Sequence, residues 1–556
     1  MATTAPPLTS AARAEHIFPT LTAPQLARIA NHGQKRRIAT GDVLQQSGDP
    51  VVRIFVVTDG VLEVIRPVGN GDAPEAVFRA GQFTGEVSVL SGRRGLAMIR
   101  AATAGEIIDV GREALLGLVQ TDSELSDILM RAFILRRVEL LSRGVSDVVL
   151  LGSPHCKGTL RVREFLLRNG HPHTMIDLDR DEASQEFLDR FQITAADIPV
   201  IICRGTVVLR NPSNQQIADC LGFNVSVERT HLRDVLIIGA GPAGLAAAVY
   251  GASEGLDVLV LETTAPGGQA GSSSRIENYL GFPTGVSGVD LAARAHNQAQ
   301  KFGAEMLIGT DARRLTCDRK PYAIELDGSK IPARTIIIAT GAEYRRLTLE
   351  NLSRFEGAGV YYAASFMESQ LCGGEEVIIV GGGNSAGQAA VFLAETAKHV
   401  HVLVRSSGLA ETMSRYLVRR IEDHPEISLH VHTEIVALEG DRHLERVQWH
   451  NKQSGATETR DIRHLFSMTG AVPSTAWLQR CVALDARGFI KTGSDLTPED
   501  LAAAHWPLAR HPHLLETSLP GVFAVGDVRS GSLKRVASAV GEGSTAIAAV
   551  HQVLHE

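Results

Sequence analysis

The chain has 556 residues, 44% hydrophobic and 21% charged, with a formal net charge of −7. That length exceeds one hydrophobic core and predicts about three or four domains, and the slight acidity excludes a nucleic-acid partner gripped by a broad basic surface. No apolar run reaches the roughly 18 residues that span a bilayer, the N-terminus has neither the basic start nor the apolar core of a secretory signal, and the scattered cysteines, with no C-x-x-C, argue against a disulfide scaffold or zinc site and for a reducing cytoplasm.

Residues 1–20 read as a loose leader. Between Leu21 and about Leu118, short apolar segments alternate with turn signals at Ala39-Thr-Gly-Asp, Ser47-Gly-Asp, Thr58-Asp-Gly60 and Gly69-Asn-Gly71, a spacing that predicts a small β-barrel. Helical apolar spacing from Leu125 to Arg143 predicts an amphipathic helix that closes a unit spanning 21–146. The stretch Gly81–Leu90 followed by Ile99-Arg-Ala-Ala-Thr103 resembles the phosphate cassette of cyclic-nucleotide-binding domains. That resemblance implies Glu86 on a ribose and an arginine on the phosphate, but the arginine's position holds Gly95, with Arg93 and Arg94 just before it. A buried phosphate there would lack its main counter-charge. The reading therefore favours a docking or dimerisation module over a cyclic-nucleotide sensor.

Residues 147–224 read as a second unit, with strands at Val148–Leu151, Thr174–Leu178 and Val200–Cys203 and a helix from Leu160 to Asn169. A strand, a cysteine turn, a helix, a strand, a second helix and then Ile198-Pro199 before a strand resembles glutaredoxin and thioredoxin. The turn is Ser153-Pro-His-Cys156-Lys-Gly-Thr159. The resemblance puts Cys156 in the attacking position, at a helix N-terminus that favours thiolate, Thr159 in the resolving position, and Pro199 in that of the family's cis-proline. Such a site can form a mixed disulfide but cannot release it internally. The alternative is a docking domain with an unreactive cysteine.

After a linker at 225–231, Val235–Ile238 reads as a buried parallel strand running into Gly239-Ala-Gly241-Pro-Ala243-Gly244 and an Ala-rich helix. Gly239 allows the tight turn, Gly241 lets backbone approach a pyrophosphate, and Gly244 lets helix and strand pack closely. A second strand, Asp257–Leu261, ends at Glu262, placed to bind a ribose hydroxyl. Strand, turn, helix, strand and acid in register make this a dinucleotide site. A second such unit is Val377–Val380 followed by Gly381-Gly-Gly383-Asn384-Ser385-Ala386. Its next strand ends in Arg405, a cation that favours a 2′-phosphate and hence NADPH over NADH, with Arg415 or Arg419 available to assist.

From Leu232 onward the chain resembles bacterial thioredoxin reductases. The motifs are Pro266-Gly-Gly-Gln269 through Asn278 to Pro283, Thr335–Gly341, and Leu519–Gly526-Asp527. The resemblance implies FAD and NADPH as cofactors, two Rossmann-like α/β domains, and a homodimer. Gln269 and Asn278 would border the isoalloxazine, Gly526 and Asp527 would meet the ribityl chain, and Arg535, Val536 and Ala537 would cover the ring edge. The FAD domain would comprise 232–352 and 468–556, with the NADPH domain, 353–467, inserted between them. Counted back from Gly381, the family's dithiol positions hold Ala364 and Met367, and Glu368 keeps the carboxylate used there for proton transfer. Hydride can pass between the cofactors, but no dithiol at those positions can carry electrons out. The reading is thus a multidomain, FAD-dependent NADPH oxidoreductase with Cys156 as the internal thiol and a thioredoxin- or glutaredoxin-type protein as partner. The alternatives are electron transfer to a ferredoxin, a quinone or oxygen, and a redox-sensing scaffold.

Overall fold

The computed structural model describes the chain except for residues 1–14, 66–73, 87, 96, 143–147, 154–155, 179–193, 195–196, 204–206, 225–226, 365, 442 and 479. Most of the leader, the turn at 69–71, Arg143, and most of the segment between Leu178 and Pro199, where a helix was expected, lie outside the described residues. Helix α1 (Ala23–Ala30) precedes strands β1 (Gln34–Ile38), β2 (Val43–Gln45), β3 (Arg53–Ile65), β4 (Ala76–Arg79) and β5 (Met98–Gly111), hydrogen-bonded in the order β1-β5-β3-β4 with β2 also on β5. Helices α2 (Arg112–Thr121) and α3 (Ser123–Ser142) cover this sheet, and Ile54, Val56, Phe83 and Ile108 pack against Leu115, Leu129 and Phe133. Residues 15–20 are not loose as expected. Ile17 is buried, its carbonyl accepts from Arg136 Nε at 2.9 Å, and the Phe18 carbonyl accepts from Gln82 at 3.3 Å. An apolar Ile-Phe pair inside a polar leader has a core to join.

The next sheet runs β7-β6-β8-β9, built from β6 (Val148–Gly152), β7 (Thr174–Asp177), β8 (Val200–Cys203) and β9 (Val207–Arg210), with β7 parallel to β6 and the other pairs antiparallel. Helices α4 (Lys157–Arg168) and α5 (Asn214–Leu221) flank it, and the Ile198–Pro199 peptide is cis. Val148, Leu150, Phe165 and Ile201 share one continuous core with Val235, Ile237 and Ala247 of the following domain. The middle unit is therefore packed onto that domain rather than tethered to it.

That domain is built on β10 (Arg233–Ile238), α6 (Pro242–Ser253), β11 (Val258–Glu262), α7 (Gly268–Gly271), α8 (Gly288–Lys301), β12 (Glu305–Ile308), β13 (Arg314–Thr316), β14 (Tyr322–Leu326) and β15 (Ser329–Ile338). The order is β12-β11-β10-β15-β14-β13, and Val522–Ala524 from near the C-terminus pairs parallel with β15. β10, β11 and the second half of β15 are buried on both faces, which is why they read as unbroken apolar runs. Between the two halves, β16 (Ala342–Tyr344) leads into an inserted parallel sheet of β17 (Val360–Tyr361), β18 (Glu376–Val380), β19 (His399–Leu403), β20 (Ile427–His430) and β24 (His464–Ser467), in the order β17-β24-β18-β19-β20. Strands β21 (Thr433–Glu439), β22 (Arg446–Asn451) and β23 (Thr457–Arg460) form a separate sheet. Helices α9 (Phe366–Leu371), α10 (Asn384–Leu393) and α11 (Arg415–Asp423) belong to the insertion, and β25 (Ala471–Pro473) returns antiparallel to β16. The last helix, α12 (Val536–His555), lies so close on α6 that a Cβ at Gly543 would sit 2.2 Å from the Ala243 carbonyl.

The cysteine reading needs correction at one place. Cys317, just after β13, and Cys481 form a disulfide between residues 164 apart in sequence. Their segments meet only through a shared core containing Leu315, Leu478 and Val482, a juxtaposition that local spacing does not record. Among the described residues no helix is long and apolar enough to cross a membrane, and no cluster of His, Cys, Asp and Glu could hold a metal.

Candidate functional site

The first glycine turn is shaped by close approach. Gly239 has φ +105°, and a Cβ there would lie 2.4 Å from the Ala339 carbonyl; a Cβ at Gly244 would lie 1.9 Å from the Gly239 carbonyl. Gly241, the N-cap of α6, faces open space, with Gly268 Cα the nearest atom at 3.9 Å. An open glycine at a helix N-terminus leaves backbone N–H groups free for a pyrophosphate. Glu262, at the end of β11, is buried and accepts from the N–H groups of Ala240 at 2.8 Å, Thr264 at 2.9 Å and Ala265 at 3.2 Å. The sequence suggests only a ribose contact for this residue. Here it also braces the glycine turn from behind.

The closing motif abuts the opening one: a Cβ on Gly526 would sit 3.0 Å from that of Ala243. The Gly526 N–H donates to Glu542 at 2.6 Å, and Glu542 also binds Arg529. Burial pushes the Asp527 carboxyl up, against the pull of the Lys534 ammonium 3.8 Å away. Arg535 is the N-cap of α12, with Val536 and Ala537 in its first turn. The Gln269 amide donates to the Ala342 carbonyl, tying α7 to the strand that leads into the insertion, whereas Asn278 is exposed.

The second turn repeats the geometry. Gly381 has φ +143°, with the Met468 carbonyl 2.5 Å from where its Cβ would be, and Gly383 faces open space. Asn384 Oδ1 accepts from the Ser414 N–H at 2.7 Å. Ser385 hydrogen-bonds the Tyr344 hydroxyl, whose titration burial raises and the nearby Asp527 charge raises further. Tyr344, on the crossing strand β16, thus touches the second dinucleotide motif. Sequence reading missed it, and nothing in its local pattern marks it. Arg405 is exposed just beyond β19, with Arg415 and Arg419 exposed on α11, and among the described residues none of the three makes an ion pair. Both turns present the backbone cradle a dinucleotide requires, so the residues fit FAD at the first and NADPH at the second.

The thiols sort by burial. Ala364 is packed in the core of the inserted domain, Met367 lies in α9, and Glu368 is half-buried in the first turn of that helix. Cys372 is fully buried; burial pushes its thiol up to about 12, with Glu368 and Glu375 adding to the shift. Cys156 is half-buried at the N-cap of α4, a Cβ at Gly158 would press on Pro199 at 2.8 Å, and Thr159 is fully buried. Helix α4 joins the two dinucleotide domains. Lys157 pairs with Glu356 at 3.0 Å and Leu160 packs on the inserted core. At the other end, Arg168 donates to the Gly268 carbonyl at 2.7 Å and Asn169 to that of Thr264 at 2.9 Å.

In the N-terminal unit, the cations near Gly95, the residue that the resemblance puts at the arginine position, are taken up by backbone carbonyls. Arg93 donates to the Asn169 carbonyl at 3.3 Å, Arg94 to that of Gly48 at 3.1 Å, and Arg137 to that of Gly170, while Arg137 also lies 3.8 Å from Glu86. Arg136 donates to the Gly85 carbonyl at 2.8 Å and lies over the rings of Phe18, Phe78 and Phe83; burial pushes it down to about 9. That α3 contributes to the cassette is not legible in its apolar spacing.

The chain matches the pyridine nucleotide-disulphide oxidoreductase family over residues 233–543 and the cyclic nucleotide-binding domain over residues 35–122. It is 30% identical over 367 residues to the NADPH-dependent thioredoxin reductase 3 of Arabidopsis thaliana, covering 63% of this chain and 65%, just under two thirds, of that protein. To a thioredoxin reductase of Mycoplasmopsis pulmonis it is 33% identical over 325 residues, covering 58% of this chain and 97% of the relative. Among solved structures, the thioredoxin reductases of Lactococcus lactis and T. acidophilum superpose with TM-scores of 0.52 and 0.52 at 26% and 29% identity; they cover 58% and 59% of this chain and 100% of each of those chains.

Proposed function

The chain belongs to the pyridine nucleotide-disulphide oxidoreductase family, and from that membership we propose that it passes electrons from NADPH through FAD to a disulfide acceptor held at Cys156 as a mixed disulfide, whose two-electron reduction releases the acceptor's second thiol and restores the Cys156 thiol. It is a thioredoxin reductase-like, NAD(P)H-dependent flavoprotein enzyme whose homologues use FAD and NADPH. In this reading Gly239, Gly241, Ala243, Gly244 and Glu262 hold the FAD pyrophosphate and ribose. Gln269, Asn278, Gly526, Asp527, Arg535, Val536 and Ala537 surround its ring and ribityl chain. Gly381, Gly383, Asn384, Ser385 and Arg405 hold NADPH. When bound, the two cofactors supply the hydride chemistry. The chain's own contribution is orientation: the antiparallel β16–β25 pair at the domain crossing carries Tyr344 beside Ser385 of the second cradle. Glu368 is the carboxylate assigned to proton transfer.

The observation that carries Cys156 as the exit is helix α4, which rests on both dinucleotide domains and bears the thiol at its N-cap. The packed Ala364 and the inert Cys372 offer no route inside the reductase half. The same two residues favour one second reading, transfer to a ferredoxin, a quinone or oxygen; a redox-sensing scaffold is the non-catalytic counterpart. We assign 21–146 to a barrel-like cyclic-nucleotide-binding-type module used for docking, 147–224 to a glutaredoxin/thioredoxin-like domain, and 225–231 to a linker. The flavin domain comprises 232–352 and 468–556, with the NADPH domain at 353–467, in a cytoplasmic homodimer.

The test is stopped-flow reduction of the flavin by NADPH, followed by a panel of acceptors, on wild type and Cys156→Ser. Flavin reduction is expected to be unchanged in the variant, with reoxidation by disulfide acceptors lost. Disulfide reduction that persists in Cys156→Ser would exclude this exit, and fast reoxidation by quinone or oxygen alone would select the second reading.

A further inference from the structure

Cys317, just after the edge strand β13, and Cys481, shortly after the 3-10 turn Ala476–Leu478, are the bonded pair among the chain's cysteines, and both are half-buried rather than sealed in the core. Their flanks are anchored independently of the bond. Leu315 on one side and Leu478 and Val482 on the other are buried in one core of the flavin domain. With the bond open, that core still keeps the two thiols side by side, so closure is intramolecular. Cys481 Sγ also lies 3.4 Å from the Leu315 carbonyl oxygen, an acceptor ready for its S–H. Exposed Asp318, Arg319 and Lys320 follow Cys317, and exposed Arg480 precedes Cys481. A rim with this excess of cations attracts a thiolate and stabilises a departing one. Arg480 has φ +70°, in the left-handed region that residues other than glycine seldom occupy.

Exposure and flanking cations are what make a disulfide exchangeable, and in a reducing compartment, the setting proposed above, disulfides are chiefly transient and redox-sensing. We propose that Cys317–Cys481 is a second redox site, a disulfide that exchanges with an external dithiol and sets how firmly the chain returning from the insertion is pinned to the flavin sheet. One thiolate of the dithiol attacks Cys317 Sγ, the Cys317–Cys481 bond breaks, and Cys481 leaves and takes a proton that it donates to the Leu315 carbonyl. The second thiol then attacks the mixed disulfide, closes the partner's own disulfide and releases Cys317 as a thiol. Two electrons and two protons pass from the dithiol to the chain. The return segment is held at its start by Ser474, whose carbonyl accepts from Thr340 at 2.9 Å and whose N–H donates to the Gly341 carbonyl at 3.1 Å. Its far end is held by the disulfide, so reduction keeps the first tie, loses the second and lets Arg480 leave its left-handed conformation.

The test uses the full-length, flavin-loaded protein with dithiothreitol as the dithiol, followed by alkylation and mass spectrometry of Cys317 and Cys481. Both cysteines should become labelled together while the flavin stays bound, and oxidised dithiothreitol should restore the unlabelled state. Limited trypsin digestion of the same samples should cut after Arg480 roughly tenfold faster in the reduced protein, because cleavage follows the population of the open segment. Cys317→Ser and Cys481→Ser should each show the fast cleavage with or without dithiol. Their folding is checked by the flavin spectrum, and the labelling of wild type decides the matter if either fails to fold. A bond that survives excess dithiothreitol until the flavin is lost would show a structural staple and overturn the proposal. Equal cleavage after Arg480 in the oxidised and reduced proteins would overturn it as well.

Discussion

Glu262→Gln separates two roles for one carboxylate. In the structure its two oxygens accept three backbone N–H bonds, Oε2 from Ala240 and Oε1 from Thr264 and Ala265. Glutamine keeps one oxygen, so it can serve Thr264 and Ala265 or Ala240, but not both sides. The retained arrangement leaves at least one buried N–H facing an NH₂ donor, at a cost of about 1–3 kcal/mol. In a domain of this size that lowers the melting temperature by roughly 2–12 °C. The assay is thermal unfolding of protein stripped of FAD, run beside FAD titration of the same preparations. Bracing of the glycine turn requires the flavin-free variant to melt earlier than flavin-free wild type, with FAD affinity falling as well. If the flavin-free proteins melt together and only FAD affinity falls, Glu262 acts through the ribose alone and the bracing argument fails.

Gly241→Val fills the open cradle and should abolish flavin retention on gel filtration, and Gly244→Ala, with its Cβ 1.9 Å from the Gly239 carbonyl, should fail to load flavin at all; a fully yellow Gly241→Val protein would refute the site. Arg405→Ala should cut kcat/KM for NADPH by about 1–3 kcal/mol of charge-assisted hydrogen bonding while sparing NADH, and equal use of both coenzymes by wild type would refute that assignment. Thiol titration in denaturant without reductant should find only Cys156, Cys203, Cys220 and Cys372, with Cys317 and Cys481 appearing after reduction. Because its thiolate becomes populated only as pH approaches about 12, Cys372 should resist alkylation of the native protein at pH 8. The N-terminal unit should bind cyclic AMP or GMP weakly or not at all; micromolar binding lost in Arg94→Ala would show that the loop can turn its arginine inward.

What the sequence revealed divides by distance along the chain. Both dinucleotide turns were legible because strand, glycines and helix lie within a few residues of one another, as where a Cβ at Gly244 would strike the Gly239 carbonyl. The absent dithiol could likewise be counted at Ala364 and Met367. Tyr344, the Cys317–Cys481 bond and the grip of α4 on Gly268 and Thr264 were not legible, since each joins segments far apart in sequence through residues ordinary in their own neighbourhoods. Arg136 illustrates the same limit: α3 reads as a closing helix, and only the folded chain shows its guanidinium against the Gly85 carbonyl.

Helix α4 is fastened at unequal strength. Its foot is held by Arg168 and Asn169 to two carbonyls of the flavin domain, whereas its tip is held by a pair in which the Lys157 side chain is 65% exposed. Such an exposed bridge contributes at most about 1 kcal/mol. Any turn of the inserted domain about the β16–β25 ribbon would therefore release the tip first and leave the foot in place. The helix body would not follow, because Val162, Phe165 and Leu166 are buried in the core shared with the flavin domain, so rotation of the inserted domain would change what faces Cys156 and leave the sulfur in its seat.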